Sequence, residues 1–262
     1  MWKVLKSKKS FILCSITAIV AAVVIANTAA ANERIAEDNK NGTPYVITSK
    51  QWLNNTKEVV ASPASWDNSD WNKALLFGGL TYFIHDNDDK VQHHFQENRN
   101  GTTNDIAKIG NAIPVAGAVY LTGNYFYGNE RQRKVAVNGL ESTASALLIT
   151  EALGLAVERN RPSGDGQSFP STHVAAAFAM ATVVADEYHE NKAVAPLAYG
   201  LATLTAYGRL NDNKHWASDV FIGGLIGHYT AKKIIKLNAS KKYTVQPYVG
   251  RNNAGVMVSK QF

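Results

Sequence analysis

Two short clusters in the second half of the chain gather side chains that could bind and cleave a phosphate group. They contain two arginines, two histidines, two hydroxyl residues and one carboxylate: Arg161, Ser171, Thr172 and His173 in the first cluster, and Arg209, His215 and Asp219 in the second. Arginine binds phosphate oxygens through paired hydrogen bonds, while imidazoles attack phosphorus or transfer protons. Chemistry at a phosphoryl group is therefore the first expectation.

The first cluster places a histidine at the predicted start of a helix. Ser171, Thr172 and His173 follow Pro170, a residue that suits a helix entry. The free N–H groups of a first helical turn bind anions, and Ser171 could cap the helix or donate its hydroxyl to an oxyanion. Alone, this pattern is also typical of an ordinary helix cap beside a surface histidine.

The second cluster pairs an imidazole with a carboxylate. His215 and Asp219 are four residues apart, which puts both on one face of a predicted helix over residues 214–237. A carboxylate there could accept the Nδ1–H of His215 and leave Nε2 free as a nucleophile. An ordinary surface pair has the same spacing, so the joint occurrence of both clusters carries the argument.

The two clusters together resemble the type 2 phosphatidic acid phosphatase superfamily, which includes bacterial acid phosphatases and vanadium haloperoxidases. Its motifs are Lys-x6-Arg-Pro, Pro-Ser-Gly-His and Ser-Arg-x5-His-x3-Asp. Arg161-Pro162 matches the end of the first motif, Pro170–His173 matches the second with one change, and Gly208–Asp219 matches the third with one change. The resemblance covers about residues 105–236.

The resemblance implies a role for each matching residue. His215 would be the nucleophile that forms a phosphohistidine, Asp219 would orient it, and His173 would protonate the leaving group. The phosphate oxygens would be bound by Arg161, Arg209, Ser171 and the backbone N–H of Thr172. No metal or other cofactor is expected, and vanadate is expected to act as a transition-state mimic.

Three positions depart from the family pattern. Gly154 stands where the first motif has lysine, Thr172 replaces a glycine, and Gly208 replaces a serine. Loss of one charge-assisted phosphate contact would cost roughly 2–4 kcal/mol in the transition state, or a factor of about 10²–10³ in rate. We expect an altered but active site.

Apolar periodicity predicts an all-α protein, a single helical bundle with a polar N-terminal lead-in and a short C-terminal β-hairpin tail. We divide the chain into a signal peptide (1–31), the lead-in (32–70), a helical phosphatase domain (71–237) and the tail (238–262). Weak alternation over residues 243–249 and 255–259 suggests the hairpin. The lead-in is rich in Asn, Asp, Ser and Thr and is expected to be loosely structured.

The first 31 residues have the features of a secretory signal: four lysines, an apolar stretch and a small-residue cleavage site. These lysines account for four of the six net positive charges, so nucleic-acid binding is not expected. The single cysteine, Cys14, also lies in this segment. We expect an exported protein of the bacterial periplasm. An uncleaved membrane anchor is the alternative.

The later apolar runs are shorter than a membrane span requires, and mean hydropathy is −0.18. A soluble helical protein is preferred over a multi-span one, with membrane-surface contact left open. The leading function is a phosphatase for phosphomonoesters or pyrophosphates, with lipid phosphates favoured. The alternatives are a soluble broad-specificity acid phosphatase, a vanadate-dependent haloperoxidase, or a non-catalytic phosphate- or lipid-binding envelope protein. The sequence does not set the oligomeric state.

Overall fold

The computed structural model describes residues 49–164 and 166–240, together with the backbone of residues 243–249 and 254–260. The described chain forms eight α-helices: α1 Ser49–Ala61, α2 Asn68–Asp86, α3 Asp88–Glu97, α4 Gly101–Tyr127, α5 Glu130–Ala156, α6 Thr172–Glu187, α7 Val194–Asn211 and α8 Ala217–Ser240. A short 3-10 helix, Ser62–Ser65, follows α1. The predicted all-α class is confirmed.

Polar side chains fix where the longer helices begin. Asn100 precedes α4 and accepts the N–H of Thr103, whose hydroxyl accepts the N–H of Asn100 in return. Asn129 and Gln132 form the same reciprocal pair at the start of α5. Each pair satisfies two N–H groups that would otherwise lack partners. The caps therefore set the register of the two helices that lead to the first cluster.

Helix α6 forms the centre of the bundle. It contacts α4, α5, α7 and α8, and its residues from Val174 to Val183 are buried around most of its circumference. A helix that is apolar on all sides is stable only when it is surrounded. Five of these buried residues are alanines, which let the neighbouring helices approach closely. His173 therefore projects from the first turn of the most tightly enclosed helix.

Glycines allow helix backbones to touch at two crossings. A Cβ atom on Gly223 of α8 would lie 2.5 Å from the carbonyl oxygen of Ser171, and one on Gly227 would overlap that of Ala175. At the crossing of α4 and α7, a Cβ on Gly208 would lie 2.8 Å from the carbonyl oxygen of Ala107. These contacts fix the start of α6 against α8 without intervening side chains.

The prediction of a loose lead-in is wrong for residues 49–61, which form α1. Polar side chains attach this helix to α5: the Trp52 indole donates to Ser145 at 3.0 Å, and the Asn55 amide donates to Glu141 at 2.5 Å. Buried polar groups are stable when they are hydrogen-bonded. A polar composition that is typical of a loop here belongs to a helix with polar partners in the core.

Helix α2 contributes little to the core. None of its residues is buried, although it carries seven large apolar side chains that are exposed: Trp71, Leu75, Leu76, Phe77, Leu80, Tyr82 and Phe83. The Phe77 ring lies 6.5 Å from the Phe221 ring of α8. In the part of the chain that the structure describes, no helix is long and apolar enough to cross a membrane.

The C-terminal strands are β1, Tyr243–Val249, and β2, Ala254–Lys260. Their backbones run antiparallel, with Tyr243 opposite Lys260. The hairpin tail stays a prediction, as do the domain boundaries. The predicted signal peptide and residues 32–48 lie outside the described residues.

Replacement of Gly227 tests the contact between α6 and α8. Gly227→Ala should lower the free energy of unfolding by about 1–3 kcal/mol, because the added methyl group would collide with the backbone of α6. Gly200→Ala in α7, where a Cβ meets nothing within 4 Å, should be neutral or stabilising by up to about 1 kcal/mol. Urea unfolding measures both variants. Equal effects would contradict the close contact.

Candidate active site

The loop between α5 and α6 carries Arg161 in a tight turn. The N–H of Arg161 donates to the carbonyl of Gly166 at 3.1 Å, and its carbonyl accepts from Gly164 at 2.9 Å. Gly164 and Gly166 have φ of +83° and +77°, a conformation that favours glycine. The Nε of Arg161 donates to the carbonyl of Gln167 at 3.0 Å. The turn thus holds the guanidinium stem in place.

Ser171 lies directly before α6 with its side chain fully buried. Its N–H donates to the Asp219 carbonyl at 3.1 Å, but its side chain does not cap the helix, so the predicted capping role is wrong. Within the described residues, its Oγ has no hydrogen-bond partner. Thr172 begins α6, so its N–H has no partner inside the helix. Both groups can donate to a bound anion.

His215 is buried and His173 is half-buried, and the pKa values of both respond to the same two arginines. Burial, then the charges of Arg209 and Arg161, lowers the pKa of His173 to about 3. Burial also holds the pKa of His215 well below its ordinary value, again with help from Arg209 and Arg161. The N–H of Ser171 bonds the carbonyl of Asp219 at 3.1 Å, and Nδ1 of His215 bonds the carbonyl of Ser168 at 2.6 Å, so the two clusters meet in one site. The structure therefore brings together residues that lie up to 54 positions apart.

Arg209 is held at the end of α7 with 8% of its surface exposed. Its Nη1 donates to Oδ1 of Asn111 at 3.3 Å, whereas its Nε has no partner in the described part of the protein. Burial and then the charge of Arg161 lower the pKa of Arg209 to about 10, against the opposing effect of Asp212. Buried donors without partners are rare in folded proteins, and an anion would satisfy this one.

The orientation of His215 differs from the prediction. Its Nδ1 lies 2.6 Å from the backbone carbonyl of Ser168, and not against Asp219. A carbonyl oxygen only accepts, so Nδ1 carries the proton and Nε2 keeps its lone pair. The tautomer of His215 is therefore the expected one, but a backbone carbonyl fixes it in place of the Asp219 carboxylate.

Asp219 instead orders the start of α8. Its Oδ2 accepts the N–H of Trp216 at 2.9 Å and the hydroxyl of Ser168, and its Oδ1 accepts from Arg159 at 2.6 Å. Burial raises the pKa of this carboxyl, although these donors oppose the shift. The same-face argument fails because α8 begins at Ala217, after His215. Asp219 thus acts on His215 indirectly, through Ser168.

The sequence model of the PAP2 superfamily matches residues 125–242. This range contains every residue of both clusters. Residues 125–242, called the PAP2 domain, are therefore similar to that superfamily. The resemblance that the motifs predicted is confirmed over this PAP2 domain.

Three known proteins are similar to the chain. A lipid A 1-phosphatase of Porphyromonas gingivalis is 34% identical over 109 residues, which are 36% of this chain and 24% of the relative. The chain therefore spans about a quarter of the length of that relative. A transmembrane PAP2 type phosphatidylglycerolphosphate phosphatase from Bacillus subtilis has a TM-score of 0.52 at 18% identity, covering 68% of this chain and 96% of that one. LpxE of Aquifex aeolicus has a TM-score of 0.48 at 19% identity, covering 57% and 94%.

Two departures from the motifs have a steric reason in this PAP2 domain. A Cβ atom on Gly154, at the place of the motif lysine, would lie 3.0 Å from Nε2 of Gln167 and 3.1 Å from the carbonyl oxygen of Phe169. The loop after α5 therefore closes directly over this position. Gly208, at the place of the motif serine, touches the backbone of α4, as described above. Nothing in the structure explains Thr172.

Sequence reasoning missed several polar residues of the site. Ser168 and Asn111 hold His215 and Arg209 but belong to no motif, and their spacing carried no signal. Asp88 and Ser218 contact Arg159 at 2.7 and 2.8 Å. Of these, Asp88 lies in a pattern that the sequence does show, the acidic run Asp86-Asn87-Asp88-Asp89 after α2, but such a run is equally typical of a helix end. In the described residues, no group of three or more His, Cys, Asp or Glu could hold a metal ion.

The lowered pKa of His173 predicts a pH-dependent stability. Below about pH 6.5 the unfolded chain binds a proton that the folded site rejects, so stability falls as the pH drops towards 3. Between pH 6.5 and 5 this histidine should cost about 1–2 kcal/mol. Urea unfolding of the wild type and of His173→Asn at both pH values measures this loss of unfolding free energy. The loss should be smaller in the variant by about 1–2 kcal/mol. Saturating phosphate should reduce the loss in the wild type, and identical losses would contradict the site.

Proposed function

We propose that the protein is a metal-independent phosphatase that cleaves lipid phosphates through a phosphohistidine at His215. One observation carries the proposal: two imidazoles, one buried and one half-buried, lie with two guanidiniums beside the partnerless donors Ser171 Oγ and Arg209 Nε of the described residues. Such a site suits an anion with several oxygens. The PAP2 match of residues 125–242 and the lipid A 1-phosphatase relative support this reaction class.

Binding uses the two guanidiniums and the polar donors beside them. Arg161 and Arg209 bind the phosphate oxygens, with the Ser171 hydroxyl and the Thr172 N–H as further donors. Positive charge and the N-terminus of α6 then face the negative charge that grows in the transition state. Because these donors sit on packed helices and a tight turn, little reorganisation is needed when the substrate arrives.

The reaction has two displacement steps. First, the Nε2 lone pair of His215 attacks phosphorus, the bond to the ester oxygen breaks, and His173 gives its proton to that oxygen. Next, a water oxygen attacks phosphorus while His173 takes a proton from that water, and the bond between phosphorus and Nε2 breaks, which releases phosphate and restores His215. The Ser168 carbonyl keeps Nδ1 protonated and Nε2 aimed at the substrate throughout.

Substrate binding raises the pKa of His173, which must carry a proton to act as the acid. With a pKa of about 3, His173 is neutral at ordinary pH, yet it must act as an acid. A bound phosphate offsets the charges of Arg209 and Arg161, which raises the pKa of His173. A phosphate monoanion also brings its own proton, since its second pKa is about 6. Substrate binding and protonation of His173 are therefore coupled.

A lipid substrate fits the exposed apolar side of α2. This helix ends near the site, where His85 contacts Asp88 at 3.2 Å. We propose that α2 lies against a lipid surface, so that a lipid headgroup can reach the arginines while its chains stay in the membrane. The export predicted from residues 1–31 places this surface in the bacterial periplasm, and that localisation stays a proposal.

Removal of the nucleophile tests the reaction. His215→Ala should lower phosphate release by about 10³-fold or more, because the covalent step has no replacement. His93→Ala is the matched control, since the His93 side chain is 74% exposed and pairs with Glu97 on the same helix. Phosphate release is measured on aryl phosphate, phosphatidic acid and pyrophosphate, with and without chelator. Retained activity of His215→Ala, or loss with chelator, would contradict the mechanism.

A charge on α2 tests the lipid surface. Leu75→Glu should lower turnover of phosphatidic acid in vesicles about tenfold and leave a soluble aryl phosphate unaffected, because only the lipid substrate requires docking. Val60→Glu in α1, at a side chain that is 62% exposed, is the control. Equal activity of both variants on vesicles would favour the soluble acid phosphatase.

A further inference from the structure

Asp88 is a buried carboxylate that lies outside the PAP2 domain and close to its site. It begins α3, and only 3% of its surface is exposed. Its Oδ1 accepts the N–H of Ser218 at 2.9 Å, and its Oδ2 accepts the Ser218 hydroxyl at 2.5 Å. Asp88 thereby holds the first turn of α8 from a helix that the family match does not include.

Arg159 connects Asp88 to the PAP2 domain. Its Nη2 donates to Oδ2 of Asp88 at 2.7 Å, and its Nη1 donates to Oδ1 of Asp219 at 2.6 Å. The guanidinium also lies 5.3 Å from the centre of the Trp216 ring. One positive charge is thus shared by two buried carboxylates, so loss of Arg159 would leave both of them without a countercharge.

The contacts continue from Asp219 to His215. Asp219 accepts the hydroxyl of Ser168, and the carbonyl of that serine accepts the Nδ1–H of His215 at 2.6 Å. The position of Ser168 therefore depends on Asp219, and the tautomer and direction of His215 depend on Ser168. Five residues from three parts of the chain form one continuous series of contacts.

We propose that Asp88 is a positioning residue that aims His215 at the phosphorus atom through Arg159, Asp219 and Ser168. The proposal rests on His215 being the nucleophile. Asp88 acts in two ways, by fixing Arg159 and by binding the backbone where α8 begins. An error of about 1 Å in the aim of a nucleophile lowers a rate by up to about 10²-fold, while substrate binding by the arginines is unaffected.

Asp88→Asn removes the negative charge of the side chain and keeps its size and shape. The amide oxygen can still accept the N–H of Ser218, but its NH₂ group would face the donors of Arg159. We expect kcat on a soluble aryl phosphate to fall about tenfold with KM within about twofold, and orthovanadate to bind about tenfold more weakly. Binding of the substrate phosphate in the ground state requires only the hydrogen-bond donors. Tight binding of vanadate also requires the His215 imidazole to point at the metal-oxide centre.

Asp89→Asn is the matched control, because Asp89 is the exposed neighbour of Asp88 in the same first turn. Both variants lose one charge at the start of α3, so a general effect on the helix would appear in both. Circular dichroism and the thermal midpoint check the fold. The control should keep kcat, KM and vanadate affinity.

A double variant tests the route through Arg159. If Asp88 acts through this guanidinium, Asp88→Asn should change kcat by less than about twofold when Arg159→Gln is already present. Additive losses would overturn the proposal, as would a kcat and vanadate affinity of Asp88→Asn equal to those of Asp89→Asn. A wild-type protein without phosphatase activity would refute the proposed function instead, and the vanadate affinities would still decide the role of Asp88.

Discussion

Two guanidinium charges held beside two largely enclosed imidazoles are the constraint on which this structure depends. Burial, reinforced by the charges of Arg209 and Arg161, lowers the pKa of both histidines, and burial with the charge of Arg161 lowers that of Arg209. Such an arrangement costs stability, so the surrounding helices must be packed well enough to tolerate it. The touching backbones of α6 and α8, and of α4 and α7, supply that rigidity at the two junctions where the charges sit.

The same constraint explains why carboxylates are kept away from the phosphate-binding donors. Asp219 and Asp88 both accept hydrogen bonds from Arg159, and Asp212 accepts one from Asn111 at 2.7 Å. A carboxylate hydrogen-bonded directly to His215 would partly cancel the positive field that attracts the substrate. A neutral carbonyl, that of Ser168, gives the required tautomer with no added charge. The site thus separates orientation of the nucleophile from charge compensation.

The sequence predicted the all-α class and the grouping of His173, His215, Arg161 and Arg209, because motif spacing and apolar periodicity are local signals. Prediction failed where contacts between residues far apart in the chain determine whether a helix forms and where it begins. Helix α1 has a loop-like composition, and distant partners such as Glu141 and Ser145 on α5 make its burial favourable. The start of α8 at Ala217 depends on an N–H bound by Asp219 and another bound by Asp88, 130 residues earlier in the chain. No spacing rule reveals such a contact.

Gly154 has a consequence for how this chain can change over time. The loop over it brings Gln167 and the Phe169 carbonyl within 3.1 Å of where a side chain would start. A lysine restored there alone would meet occupied space before its charge could reach a phosphate. The motif lysine would therefore fit only if Gln167 and the Phe169 backbone moved by a few tenths of an ångström. A change in the loop after α5 would make that movement easier, so position 154 and this loop are coupled.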